Sequence, residues 1–136
     1  MDSSELLKWF VATVKAEVTL ADLQGRIFPD AAPEGEKNPC LVYQLVGDQG
    51  EATVDAGPAT EGTLAYQIRI YGDSRKSANA LREAFRHKFE GLCPFAIEGG
   101  QRIEGSAWGE LADTFDRQAK DYGALGVIEF HLATIQ

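Results

Sequence analysis

The stretch Thr63-Leu64-Ala65-Tyr66-Gln67-Ile68-Arg69-Ile70-Tyr71 decides the fold. Leu64, Tyr66, Ile68 and Ile70 fall on one side and Gln67 and Arg69 on the other, the period of two of a strand with one dry face. Sheets with one wet and one dry face are antiparallel, and their dry face needs cover. Gly72-Asp73-Ser74 follows at once, with Asp73 or Ser74 able to cap a helix. That helix runs to about residue 90, and Gly91 stands where a left-handed terminating residue belongs. Ala78, Leu81, Phe85, Phe89 and Leu92 form its apolar stripe. Arg75, Asn79, Arg82 and Arg86 form a ridge along its flank, supported by the spacings Glu83 to His87 and Arg86 to Glu90.

Outward from this unit the pattern is weaker. Residues 2–18 read as a first helix, with Asp2 or Ser3 as cap and Glu5 placed as in a capping box. Its expected stripe is Leu7, Phe10, Val11, Val14 and Val18, with Trp9 off the stripe. Residues 26–29 read as a brief extended piece, 30–39 as a loop and 41–46 as a strand ending at Gly47. Residues 48–62, rich in Gly and acid, read as a long exposed connection with frayed arms around residues 52–54. Past Cys93-Pro94 come a short extended piece at 95–98 and the Gly99-Gly100 turn. A strand then covers 103–116, a polar connection 117–122, and a last strand 126–135 with Ile128, Phe130 and Leu132 on one face. The expected architecture is a single α+β domain over residues 1–136: an antiparallel sheet of about four strands with two α-helices packed on one face, in the order α-β-β-α-β-β.

Composition narrows the function. The chain has 136 residues, 44% hydrophobic and 25% charged, with 13 basic and 21 acidic side chains and a net charge of −8. Such a surface repels phosphate backbones and anionic membranes, so tight nucleic-acid grip and membrane adsorption are disfavoured. The acidic start of the chain lacks the basic region of a secretory signal, which places synthesis in a cytosol-like compartment. Cys40 and Cys93, each beside a proline, read as free buried thiols in preference to a disulfide.

The residues hold no signature of catalysis. His87 and His131 lack a second His or Cys at metal-ligand spacing, and read as outward-facing. There is no Gly-x-Ser-x-Gly elbow and no flank that marks a catalytic cysteine, and Gly47-Asp48-Gln49-Gly50 lacks the lysine of a phosphate loop. Glu34 with Glu36, and Glu110 with Asp113 and Asp116, are carboxylate groupings of the kind that serve glycoside chemistry, but they sit in polar loops or beside loop-like neighbours and read as a solvated acidic face. No catalytic residue, cofactor or metal site is therefore expected.

What remains are candidate interaction surfaces. Arg75, Arg82 and Arg86 stand out on so acidic a chain; they either pair locally, with Glu83 or Glu90, or meet an acidic partner. Trp9 and Trp108 are either core or contact residues, and Trp9, off its stripe, is a candidate for a subunit contact. Asp48, Glu51 and Asp55 place acid in the long 48–62 segment, and segments of that length are often functional.

Several runs, taken in order, resemble one family. They are Gly25-Arg26-Ile27-Phe28-Pro29, then Ala32-Pro33, then Pro39-Cys40-Leu41-Val42-Tyr43-Gln44. After the acidic Gly/Pro segment come Tyr66-Gln67-Ile68-Arg69-Ile70-Tyr71-Gly72, the Ala-, Leu- and Arg-rich helix at 77–92, and Gly126-Val127-Ile128-Glu129-Phe130-His131-Leu132. The order and spacing of these runs, over residues 3–135, resemble the tail completion or tail terminator proteins of long-tailed bacteriophages and prophages. The resemblance implies a virion structural protein at the head–tail junction, made in the host cytoplasm and not an enzyme. It would act as a ring, usually hexameric, that caps the tail tube, stops its polymerisation and meets the head connector while DNA passes through unbound. Its partners would be copies of itself, the tube protein and the connector protein. Two other readings stand beside it: another head–tail joining component, and a small hydrolase or ligand-binding protein built on Glu110, Asp113 and Asp116.

Overall fold

The computed structural model describes residues 4–33, 39–51, 61–97, 100–116 and 121–134. Helix α1 (Ser4–Ala16) leads into a short 3-10 helix (Val18–Leu23) and the strands β1 (Ile27–Pro29), β2 (Cys40–Glu51) and β3 (Glu61–Gly72). Helix α2 (Arg75–Phe89) follows, then β4 (Phe95–Ile97), β5 (Gln101–Glu110), β6 (Thr114–Asp116) and β7 (Asp121–Thr134). The strands form one seven-stranded sheet in the order β1-β2-β3-β7-β5-β4, with β6 pairing β7.

The α+β expectation of about four antiparallel strands in the order α-β-β-α-β-β is therefore corrected. The chain is mostly β, and its sheet is mixed, because β1 runs parallel to β2. Three of the seven strands are only three residues long, too short to show a period of their own. The segment expected as one strand over 103–116 is two, β5 and β6, separated by a break at 111–113. The expected connection at 48–62 is strand at both ends: β2 continues to Glu51 and β3 begins at Glu61. These polar, Gly-bearing arms are held by pairing with each other, in the register Asp48↔Leu64 to Glu51↔Glu61. The arms expected at 52–54 lie outside the described residues.

The centre of the sheet is the pair β3–β7, continuous from Glu61↔Ala133 to Gly72↔Tyr122. Leu64, Ile68 and Ile70 of β3 and Ile128 and Phe130 of β7 are fully buried on one face. That face is covered by Leu6, Phe10 and Val14 of α1 and by Leu81, Phe85 and Phe89 of α2. Aromatic rings meet at its middle: Phe10 lies 5.2 Å from Phe89, 5.9 Å from Phe85 and 6.3 Å from Phe130, and Phe85 lies 4.6 Å from Phe89. Edge and tilted contacts of this kind add to the stabilisation from burial alone. Truncating Phe89 to alanine costs about 3–5 kcal/mol by the usual measure of a large buried ring.

The two helices end differently. Ser74 caps α2, its hydroxyl accepting from the Ser77 amide at 3.1 Å, and Gly91 takes up φ 67°. The Ser106 hydroxyl of β5 donates to the Phe89 carbonyl and accepts from the Leu92 amide at 2.9 Å, which fastens the end of α2 to the sheet. Helix α1 is shorter than expected. Glu17 is extended (φ −76°, ψ 119°) and its carboxylate accepts from Thr19, starting the 3-10 helix. Val18 therefore leaves the stripe and is 83% exposed, while Leu20 and Leu23 become buried. Neither cysteine is in a disulfide; Cys40 is buried, as expected, but Cys93 is exposed.

Trp108 is held by a missing side chain. A Cβ added at Gly126 of β7 would lie 2.1 Å from the indole ring, which rests on that glycine and against Phe85 at 5.4 Å. Gly126→Ala is expected to displace the ring and cost roughly 1–3 kcal/mol, the usual penalty of overpacking. Urea unfolding together with a red shift of tryptophan emission checks it.

Candidate assembly interface

Among the described residues, the sheet ends on two unlike edges. On β2, the Leu41 amide donates to Arg26 O at 2.9 Å and the Tyr43 carbonyl accepts from Asp30 N at 2.8 Å, so odd-numbered backbone groups point outward toward β1. Strand β1 pairs only with residues 41–43. By the period of two, the backbone of Leu45 points the same way, past the end of β1. A bulge follows between Leu45 and Gly47, leaving Val46 without a cross-strand partner. Leu45 and Val46 are 45% and 54% exposed, two adjacent aliphatic side chains on an open edge. Exposed edges of this kind are where a sheet recruits another chain.

The opposite edge is β4. Beside it lies a cleft of about 420 Å³ between α1 and the strand, lined by Trp9, Ala12 and all three residues of β4, with Glu5 and Lys8 at its mouth. Trp9 is half-buried, 5.3 Å from Phe95, 5.8 Å from Phe89 and 5.9 Å from Phe130. It packs against the core and also forms part of the cleft wall.

The other sequence-nominated residues do not gather into one site. The Arg82 side chain is only 13% exposed and folds inward, its guanidinium donating to Asp113 Oδ1 at 2.6 Å, Leu125 O at 3.2 Å and Leu111 O at 3.4 Å. It clasps the turn between β5 and β6 to α2. Arg86 pairs with Glu90 at 2.5 Å and with Glu83 at 3.4 Å, and these carboxylates raise its already high pKa. Arg75 is exposed at the start of α2, and Asp48 is exposed on β2 beyond the bulge. Glu51 ends β2, opposite Glu61, and Asp55 lies outside the described residues.

Of the acidic cluster, Asp113 is tied to Arg82, and Glu110 ends β5 opposite Gly126. Among the described residues no group of three or more His, Cys, Asp or Glu is placed to hold a metal ion, and no helix is long and apolar enough to cross a membrane. His87 is exposed near Glu83, and His131 Nδ1 lies 3.1 Å from Thr63 Oγ1. Sequence reading missed Leu45, Val46 and the cleft. A signal for the first pair was present: Leu45-Val46 breaks the alternation just before Gly47.

Among the described residues the chain is a small, mostly-β module with two unlike sheet edges. By its sequence the chain belongs to the family described as "Tail completion protein gp17", which it matches over residues 10–131. No curated protein matches it. Among solved structures it is similar to a chain of the "Virion of native gene transfer agent (GTA) particle", at 20% identity and a TM-score of 0.60, over 90% of this chain and 91% of that one. A second solved chain is similar at 14% identity and a TM-score of 0.56, over 98% and 92%. At these identities the two likenesses concern the fold. Family membership makes the chain a structural component of a phage-type virion tail, in contact with other virion proteins.

Two predictions separate clasp from surface. Arg82→Ala removes the donor to Asp113, Leu111 O and Leu125 O, the last of which keeps the Leu111 amide at 3.1 Å, and a loss of about 1–3 kcal/mol is expected. Arg86→Ala, on an exposed pair, is expected to leave Tm essentially unchanged. Faster amide exchange around residues 111–113 in the first variant alone checks the contrast. A further prediction concerns Glu17, which bridges to Lys88 of α2 at 3.3 Å. That hydrogen bond, then those from Thr19, holds its carboxyl below the ordinary glutamate range. The stabilisation is present in full above the ordinary range and is lost as pH falls through the lowered folded value. Glu17→Gln is therefore expected to flatten the acid limb of a Tm-against-pH curve and to leave its slope above pH ~6 unchanged.

Proposed function

We propose that this chain forms a ring at the head-proximal end of the tail tube, ends tube polymerisation and offers the next surface to the head connector. The family match over residues 10–131 carries the reading. A ring needs a heterologous interface, with two different patches on each subunit, and the two unlike edges of this sheet fit that requirement. A net charge of −8 fits a passage through which DNA slides without being gripped. Trp9, Asp48, Glu51, Asp55, Arg75, Arg82 and Arg86 remain the proposed contact residues. Arg82 enters indirectly, through the turn it holds in place.

The test is assembly without the chain. Phage carrying a stop codon in its gene are expected to make tail tubes of uncontrolled length that do not join filled heads, and supplying the chain in trans restores both length and joining. Tubes of normal length that still fail to join would favour a joining component that does not terminate the tube. Tubes of normal length already attached to heads would overturn the proposal.

A further inference from the structure

Resting on that ring reading, we propose that the ring interface seats the Leu45–Val46 bulge of one copy in the cleft beside Trp9 and β4 of the next copy. Four observations point to a second copy as the occupant. The bulge and the cleft lie on opposite sides of one sheet, β2 toward one end of the order and β4 at the other, so the contact is head-to-tail and leaves each copy with one of each patch unfilled. The cleft walls are apolar, from Trp9, Ala12, Phe95 and Ile97, and about 420 Å³ is ample for two aliphatic side chains. Three consecutive residues of β4 line it, although side chains alternate in direction, so the cleft runs along the strand edge where backbone groups are open. The Leu45 backbone likewise points off its own edge, which lets the seated segment add to β4 as a further strand.

Charge agrees with this pairing. Asp48 is exposed just past the bulge and Glu51 lies further along the same strand. The mouth of the cleft carries Lys8, 73% exposed, and Arg102 sits opposite Ala96 on β5. Both cations already touch a carboxylate, Glu5 and Glu104, but exposed pairs of that kind exchange partners at little cost. Asp48 of one copy thus comes to the side of the next that carries Lys8 and Arg102.

The test uses the full chain, alone and added to tail tubes assembled without it, with mass read by native mass spectrometry and light scattering. Val46→Glu disables the bulge and Ala12→Arg fills the cleft; both positions are exposed, and unchanged circular dichroism and Tm confirm folding. Each variant alone is expected to need at least roughly tenfold more protein to assemble, equivalent to about 1.4 kcal/mol per interface. Mixed together, they are expected to give a dimer and nothing larger, because one intact cleft and one intact bulge remain. A Val46→Cys, Ala12→Cys variant in a Cys93→Ser background is expected to cross-link into a closed ladder. Variants that assemble like the parent, or a mixture that stays monomeric, overturn this interface and leave the ring standing. A parent chain that stays monomeric even on tubes overturns the ring itself, and the interface with it.

Discussion

All the rest of the fold depends on the pairing of β3 with β7. Every residue of β3 is matched, from Glu61↔Ala133 to Gly72↔Tyr122, and the two strands come from distant parts of the chain. Their shared dry face, Leu64, Ile68, Ile70, Ile128 and Phe130, is the floor on which both helices lie. Ladder bonds fix the register, and a slip by one residue would turn that whole face to water. Around this centre β2 and β5 add on either side, and the three-residue strands β1 and β4 finish the edges without covering them.

The incomplete cover of the edges is where structure meets function. Natural sheets blunt their edges with short strands, bulges and charge, and β1, the Leu45/Gly47 bulge and Asp48 are such devices. Yet Leu45 and Val46 stay exposed, as does a cleft whose wall includes a tryptophan. A chain that must avoid indefinite stacking and still join its neighbours needs edges that accept one partner only. In the proposed ring, two unlike edges that recognise each other would meet that need by closure.

Much of this was legible in the sequence where one side chain decides one local state. The alternation of Leu64, Tyr66, Ile68 and Ile70 marks β3 because one face is dry, and Ser74 marks the start of α2 because its hydroxyl answers an orphan amide. What was not legible depends on partners far away. Residues 48–51 are strand because 61–64 lie beside them, although Gly and acid disfavour strand locally. Likewise residues 121–125 join β7 through β3 and β6, despite Gly123. Arg82 read as part of a surface ridge, and only the approach of Leu111, Asp113 and Leu125 turns it into a clasp. Trp9 fell off a stripe drawn from ideal helical spacing, but Phe89, Phe95 and Phe130 meet it from three other elements. The family resemblance rested on order and spacing rather than on chemistry, which is why it survived an incorrect strand count.

The central claim is that this chain closes the head-proximal end of the tail as a ring. Averaged electron cryo-microscopy of intact virions, with the structure fitted to the density at the head–tail junction, tests it most directly. The account predicts one ring of copies between tube and connector, with the β2 edge of each copy against the β4 edge of the next. Density for the chain along the length of the tube, or only at its far end, would contradict it.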